Sequence, residues 1–246
     1  MNINDFSKKT EYFEQIFENQ KELSKKIIIK DYFPSQPINN HMRHILIDWL
    51  WDVKLHFDLG HDTFFICCSV LDRFMSNIIF DIQIKDYQLY GIVSLLLAAK
   101  INEIYPPELR DLKYITDNAY SIQRIKQQEI QMCNNIDHFI PNCTVFYFVE
   151  LLILKYKLKE QDQNIFFDLA LVSILCFYEQ CQFNNFDVAV SLLKIINHEN
   201  KYTIEEEHNE ACCISINKAL KKIKVLNKSK FDKIIQNIKR FMSNLK

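Results

Sequence analysis

Glycine is almost missing. The 246 residues hold two, Gly60 and Gly91, so neither the G-x-G-x-x-G turn nor the G-x-x-x-x-G-K-[ST] loop that cradles phosphates occurs in the chain. Standard loop-type ATP binding is excluded. Long hydrophobic runs are absent too: the longest uncharged apolar stretch, Tyr87 to Ala99, falls short of the ~20 residues that cross a bilayer. Asp5, Lys8, Lys9, Glu11 and Glu14 interrupt the first residues, so no secretory signal is expected and no membrane partner. The eight cysteines form no C-x-x-C; Cys67-Cys68 and Cys212-Cys213 lie in apolar runs and read as small buried hydrophobes of a reducing compartment. His41 and His44 have H-x-x-H spacing with no third ligand nearby, and no G-x-S-x-G exists. Neither metal nor cofactor is expected.

What is present is the composition of a folded protein: 48% hydrophobic, 25% charged and 13% aromatic residues. The net charge of -1 hides an asymmetry. Residues 218–246 carry ten Lys/Arg against Asp232 alone, a balance of +9 that leaves -10 for residues 1–217.

Apolar residues recur with the 3.6-residue period of helices, and no segment has the alternation of a strand, so the expected fold class is all-α. Asp5 to about Lys26 reads as one amphipathic helix, followed by an extended connector at Pro34 and Pro37. Met42, Ile45, Leu46, Trp49, Leu50, Val53 and Phe57 then line one helical face, and Gly60 is expected to close that helix. A second helix runs from about Thr63 to Asn77 and a third from about Lys85 to Lys100. The third is apolar on nearly every side between Leu89 and Ala99, which marks it as a central post. Pro106 and Pro107 precede a short helix from Glu108 to about Asn118, and Ser121 can cap a fifth that ends near Asp137. Beyond Pro141, five more helical segments are read near 144–157, 162–181, 186–197, 204–225 and 229–245. The division is an N-terminal helix and connector over 1–40, a five-helix unit over 41–140, and a second unit with a basic terminal helix over 141–246.

Charges set into apolar stripes need partners, because burying an unpaired charge costs several kcal/mol. Arg43 and Asp72 are expected to satisfy each other as a structural ion pair. Glu129 falls on the stripe of Ile122, Ile125, Met132, Cys133 and Ile136, and Lys100 ends the third helix. By pattern alone, Lys100 and Glu129 either pair internally or face outward to hydrogen-bond another protein. Met42, Ile45, Leu46 and Trp49 read by spacing as core.

Met42-Arg43-His44-Ile45-Leu46-Ile47-Asp48-Trp49-Leu50, Leu71-Asp72-Arg73-Phe74, Leu97-Ala98-Ala99-Lys100, Glu103-Ile104-Tyr105-Pro106-Pro107-Glu108 and Tyr114-Ile115-Thr116-Asp117-Asn118 together resemble the cyclin box of A- and B-type cyclins. The resemblance is close from Met42 to Phe139 and weak beyond Pro141. It implies tandem five-helix cyclin boxes with terminal helices, and a regulatory subunit, not an enzyme, that activates a cyclin-dependent protein kinase in G2/M cell-cycle control. It further implies kinase contacts from Lys100, Ile101, Glu103 and Glu129. Ile101-Asn102 stands where the family has Phe-Glu. Met42, Ile45, Leu46 and Trp49 correspond to a docking patch for Arg-x-Leu substrates or inhibitors, with Gln88 as its polar group, Tyr87 in place of the usual Leu, and Asp52 and Asp117 as the acids that meet the Arg. Asn184-Asn185 replaces a Pro-Pro common in the second box. The family's N-terminal destruction signal is not found; Arg43-His44-Ile45-Leu46 has R-x-x-L letters but lies within a helix. Nuclear or cytoplasmic residence is expected. The alternatives are a cyclin-fold, transcription-factor-like protein that binds nucleic acid through its basic C-terminal segment, and a helical scaffold that binds no kinase.

Overall fold

A computed structural model describes residues 6–244 except 28, 79–81, 208 and 223–230. Twelve α-helices carry these residues, and no strand occurs among them. The helix α1 (Phe6–Lys26) leads through the connector to α2 (Asn40–His56), α3 (His61–Asn77), α4 (Tyr87–Asn102), α5 (Leu109–Ile115) and α6 (Ile122–Asn135). The second half holds α7 (Val145–Tyr156), α8 (Glu160–Ser173), the single turn α9 (Phe177–Gln180), α10 (Asn185–Ile196), α11 (Glu210–Lys222) and α12 (Phe231–Asn244).

Every residue of α4 from Leu89 to Ala99 is buried, with α2, α3 and α6 packed around it. This is the post that its all-round apolar surface demands. Gly91 lets α2 approach: a Cβ there would meet Leu46 Cδ1 at 2.8 Å. In the second half α10 has the same role, buried from Val188 to Leu193 against α7, α8 and α11. Phe17 of α1 meets Phe186 of α10 edge-on, ring centroids 5.7 Å apart, and so docks the leading helix on the second half. Tyr12 and Ile16 on the same α1 stripe stay exposed.

Four boundaries differ from the sequence reading. Gly60 does not close α2; Asp58 takes the left-handed turn there, at φ 50°, and Gly60 caps α3, which begins ahead of Thr63. With only two glycines, such positions fall to other residues, and Asp117, Asn118, Asp137, His138 and Lys157 also have positive φ. The segment expected as one helix over 162–181 breaks into α8, a 3-10 turn at Ile174–Cys176 and α9. The one expected from 204 begins at Glu210. Its expected end at 225 lies outside the described residues.

The break after α8 has a physical cause. The carbonyls of Ser173, Ile174 and Leu175 are taken by Gln180 Nε2, Arg43 Nη1 and His44 Nε2, each at 2.7 Å. Side chains from α2 and α9 replace helical bonding at that point. The two halves are thereby fastened together by the first turn of α2.

Candidate functional site

Arg43 and Asp72 meet across α2 and α3. Arg43 Nε donates to Asp72 Oδ1 at 2.9 Å and Nη2 to Oδ2 at 2.7 Å, a bidentate pair in which Arg43 is 1% exposed. Tyr32 Oη donates to the same Oδ1 at 2.9 Å, and Arg43 lies over the Phe177 ring, 4.7 Å from its centroid. Burial, reinforced by the Asp72 charge, pushes the Tyr32 phenol well above its ordinary pKa and keeps it a donor. The cluster joins connector, first half and second half. It offers no group poised for proton transfer.

At the C-terminal end of α4, Lys100 Nζ donates to Glu129 Oε1 of α6. The pair is at the surface: the Lys100 side chain keeps 45% of its exposure and Glu129 18%. The chain just beyond it presents apolar groups to solvent, with Ile101 exposed and Ile104 and Tyr105 at 87% and 89%. Pro106 and Pro107 hold that segment out of a helix and, with Leu96 and Ile122, border a shallow hollow of about 470 Å³ beside Lys100. Ile104 and Tyr105 carry no assignment in the sequence reading. The signal for them is their place between a helix end and two prolines, where apolar residues have no helical face to pack.

Glu103, expected as a partner-facing acid, is half-buried next to this surface. Its Oε1 accepts from the Gly60 amide at 2.7 Å and from the Thr63 hydroxyl. Asn102 Nδ2 donates to Asp62 Oδ2 at 2.6 Å and to Thr63 Oγ1 at 2.8 Å. These residues clamp the end of α4 to the start of α3, a donor-rich helix N-terminus that favours a carboxylate.

The expected docking patch divides. Ile45 and Asp52 are exposed, and Met42, Trp49 and Gln88 are half-buried. Leu46 and Tyr87 are not accessible as expected: Leu46 fills the space over Gly91, and Tyr87 lies in the core, its phenol pushed above its ordinary pKa by burial. Asp117 is exposed in the left-handed turn after α5. Tyr120 Oη donates to the Lys85 carbonyl at 2.7 Å, and Arg124 pairs with Asp86 at 3.4 Å, so the loop after Asp117 is tied to the residues just before Gln88. Asn184, at the position where Pro was expected, caps α10 by accepting from the Asp187 amide at 2.8 Å.

Among the described residues no three His, Cys, Asp or Glu gather as metal ligands, and no helix is long and apolar enough to cross a membrane. All eight cysteines are free thiols.

Comparison with known proteins assigns the family. The model of the cyclin N-terminal domain matches residues 15–140. Cyclin-B1-1 of Arabidopsis thaliana is 33% identical over 184 residues, covering 74% of this chain and 42% of that protein. The G2/mitotic-specific cyclin-B of Hydra viridissima is 36% identical over 140 residues, covering 56% of this chain and 35% of its own length. The chain thus spans less than half the length of these relatives. In fold it is similar to a viral cyclin from herpesvirus saimiri, with TM-score 0.64 at 15% identity over 94% of this chain and 98% of that one. It is also similar to a chain of the yeast RNA Pol II CTD kinase CTDK-1 complex, with TM-score 0.62 at 12% identity over 90% of this chain and 81% of that one. The model match over just over half of the sequence leaves one conclusion: the chain belongs to the cyclin family.

Proposed function

We propose that this chain is a non-catalytic subunit that binds and activates a cyclin-dependent protein kinase in cell-cycle control. The observation that carries the proposal is the Lys100–Glu129 pair at the surface, flanked by exposed Ile101, Ile104 and Tyr105. Apolar side chains out of the core are costly to solvate as a cluster, and a charged pair beside them can hydrogen-bond a partner's backbone and fix its register. A partner that binds one kinase conformation better than the other shifts the kinase population toward it. The B-type likeness favours this reading over the nucleic-acid-binding one. The division at residues 40 and 140, and action in nucleus or cytoplasm, are parts of the same proposal.

The test is co-purification of a kinase with the tagged chain. Lys100→Ala with Glu129→Ala is expected to abolish it while leaving the helical circular dichroism unchanged, since an exposed pair contributes only ~0–1 kcal/mol to folding. Undiminished kinase binding by the double variant overturns the proposal.

Substrate docking is a second part of the reading, supported by exposed Ile45 beside half-buried Met42 and Trp49, with Asp52, Gln88 and Asp117 as polar groups for an Arg-x-Leu segment. Trp49→Ala is expected to lower phosphorylation of Arg-x-Leu substrates far more than that of short peptides without the motif. Equal losses on both remove the docking claim.

A further inference from the structure

A second concave site lies away from the Lys100 surface. A cleft of about 910 Å³ opens between the connector after α1, the turn from α9 to α10, and α11. Ser215, Lys218 and Lys222 line it from α11 at i, i+3 and i+7, the spacing of one helical face. Lys30 faces them from the connector, and Lys25 stands at the end of α1. Its walls are held in place. Ser215 Oγ donates to the Glu179 carbonyl at 3.2 Å, and Phe177 packs on Tyr32 and Phe33 of the connector, ring centroids 5.0 and 5.6 Å apart.

Two lysines of the basic 218–246 segment, Lys218 and Lys222, join Lys30 of the connector around this cleft; all three are exposed, with no ion pair among the described residues. Lys25 is paired with Glu22 at 2.6 Å. Like charges gathered around a fixed cavity repel one another until an anion enters. Ile27, Ile29 and Phe183 line the same cleft as its apolar floor. That combination sorts the candidates. Inorganic phosphate would leave the floor unused. A single-stranded nucleic acid asks for a row of stacking rings, where this cleft has the one ring of Phe183. An acid-rich peptide would bring further carboxylates against Asp31 and Glu179, which border the same cleft. A phosphorylated side chain concentrates close to two charges and three acceptor oxygens at one point, and its peptide neighbours can lie on the apolar floor.

We propose that this cleft binds a phosphoserine- or phosphothreonine-bearing peptide of a partner protein. The phosphate is held by Lys30, Lys218 and Lys222, and an adjacent apolar residue rests on Ile27, Ile29 and Phe183. The site shares no residue with the Lys100 surface and stands whether or not a kinase binds there.

The test is fluorescence anisotropy with the full chain at about 0.15 M salt. The probe is a short labelled peptide with a central phosphoserine flanked by leucines, compared with its serine and glutamate twins. The phosphopeptide is expected to bind at least about tenfold more tightly than either twin. Lys30→Glu with Lys218→Glu is expected to weaken it by about tenfold or more, and the neutral Lys30→Gln with Lys218→Gln by less. Lys85→Glu with Lys126→Glu, an equal charge change elsewhere, is expected to leave it unchanged, and circular dichroism checks that all variants are folded. Equal affinity for the three peptides, or equal losses in the cleft and control variants, overturns the proposal. So does lysine-dependent binding of a short single-stranded DNA in the absence of phosphopeptide binding.

Discussion

Asp72 serves three donors at once, Tyr32 Oη and Arg43 Nε at one oxygen and Arg43 Nη2 at the other. Asp72→Ala therefore leaves a guanidinium buried without its counter-charge, and the expected loss is ~3–5 kcal/mol, read as a lower urea midpoint. His44 gives a pH signature. Burial, opposed by its bond to the Leu175 carbonyl, lowers its pKa below the ordinary 6.5. Above 6.5 the ring is neutral in both folded and unfolded chains. As the pH falls through 6.5 the unfolded chain takes up a proton that the folded site resists, so the stability His44 contributes is lost on acidification. His44→Gln keeps a donor and loses the titration, so the Tm advantage of the wild type over it is expected to shrink from about pH 7.5 to 5.5. A constant difference across that range removes His44 as the cause. The Arg43–Asp72 pair was legible in the sequence because two charges of opposite sign interrupted apolar stripes on successive helices. The fate of Glu103 was not, because nothing local shows that the end of α4 lies against the start of α3.

On the scale of elements, the crossing of α2 over α4 depends on one missing methyl. Gly91→Ala would place its Cβ 2.8 Å from Leu46 Cδ1 in a packed core, and overpacking of this kind costs ~1–3 kcal/mol. Leu46→Ala alone opens a cavity at the same crossing and also destabilises. Combined, the two changes fill and vacate the same space, so the double variant is expected to lose less than the sum of the singles in urea unfolding. Strict additivity contradicts the crossing described. The central post was readable from its pattern, since a helix apolar on all sides has to be surrounded. The break after α8 was not. It depends on the Ile174 and Leu175 carbonyls being captured by Arg43 and His44, 131 positions earlier in the chain, and a sequence window carries no trace of such distant donors.

At the level of the whole molecule, the chain offers a built-in test of how its halves are coupled. Both tryptophans, Trp49 and Trp51, lie on α2, so their fluorescence reports the first half while far-UV circular dichroism reports all helices. The two probes are expected to give one coincident urea transition in the wild type. His44→Ala removes one of the two side-chain bonds from α2 to the carbonyls at the α8 break, contributing ~1 kcal/mol, and is expected to separate the transitions. Coincident curves in that variant would mean that aromatic packing, such as Phe17 on Phe186, carries the coupling instead. By itself the sequence determined the all-helical class, the buried post and the need for Arg43 and Asp72 to meet, because periodicity and the cost of burying charge act through local pattern. Tertiary structure alone decided that Lys100 and Glu129 pair at the surface, that Leu46 and Tyr87 turn inward while Glu103 bonds the start of α3, and that lysines from the connector and α11 share one cleft. Exposure belongs to the space between elements, and that space exists only once they have packed.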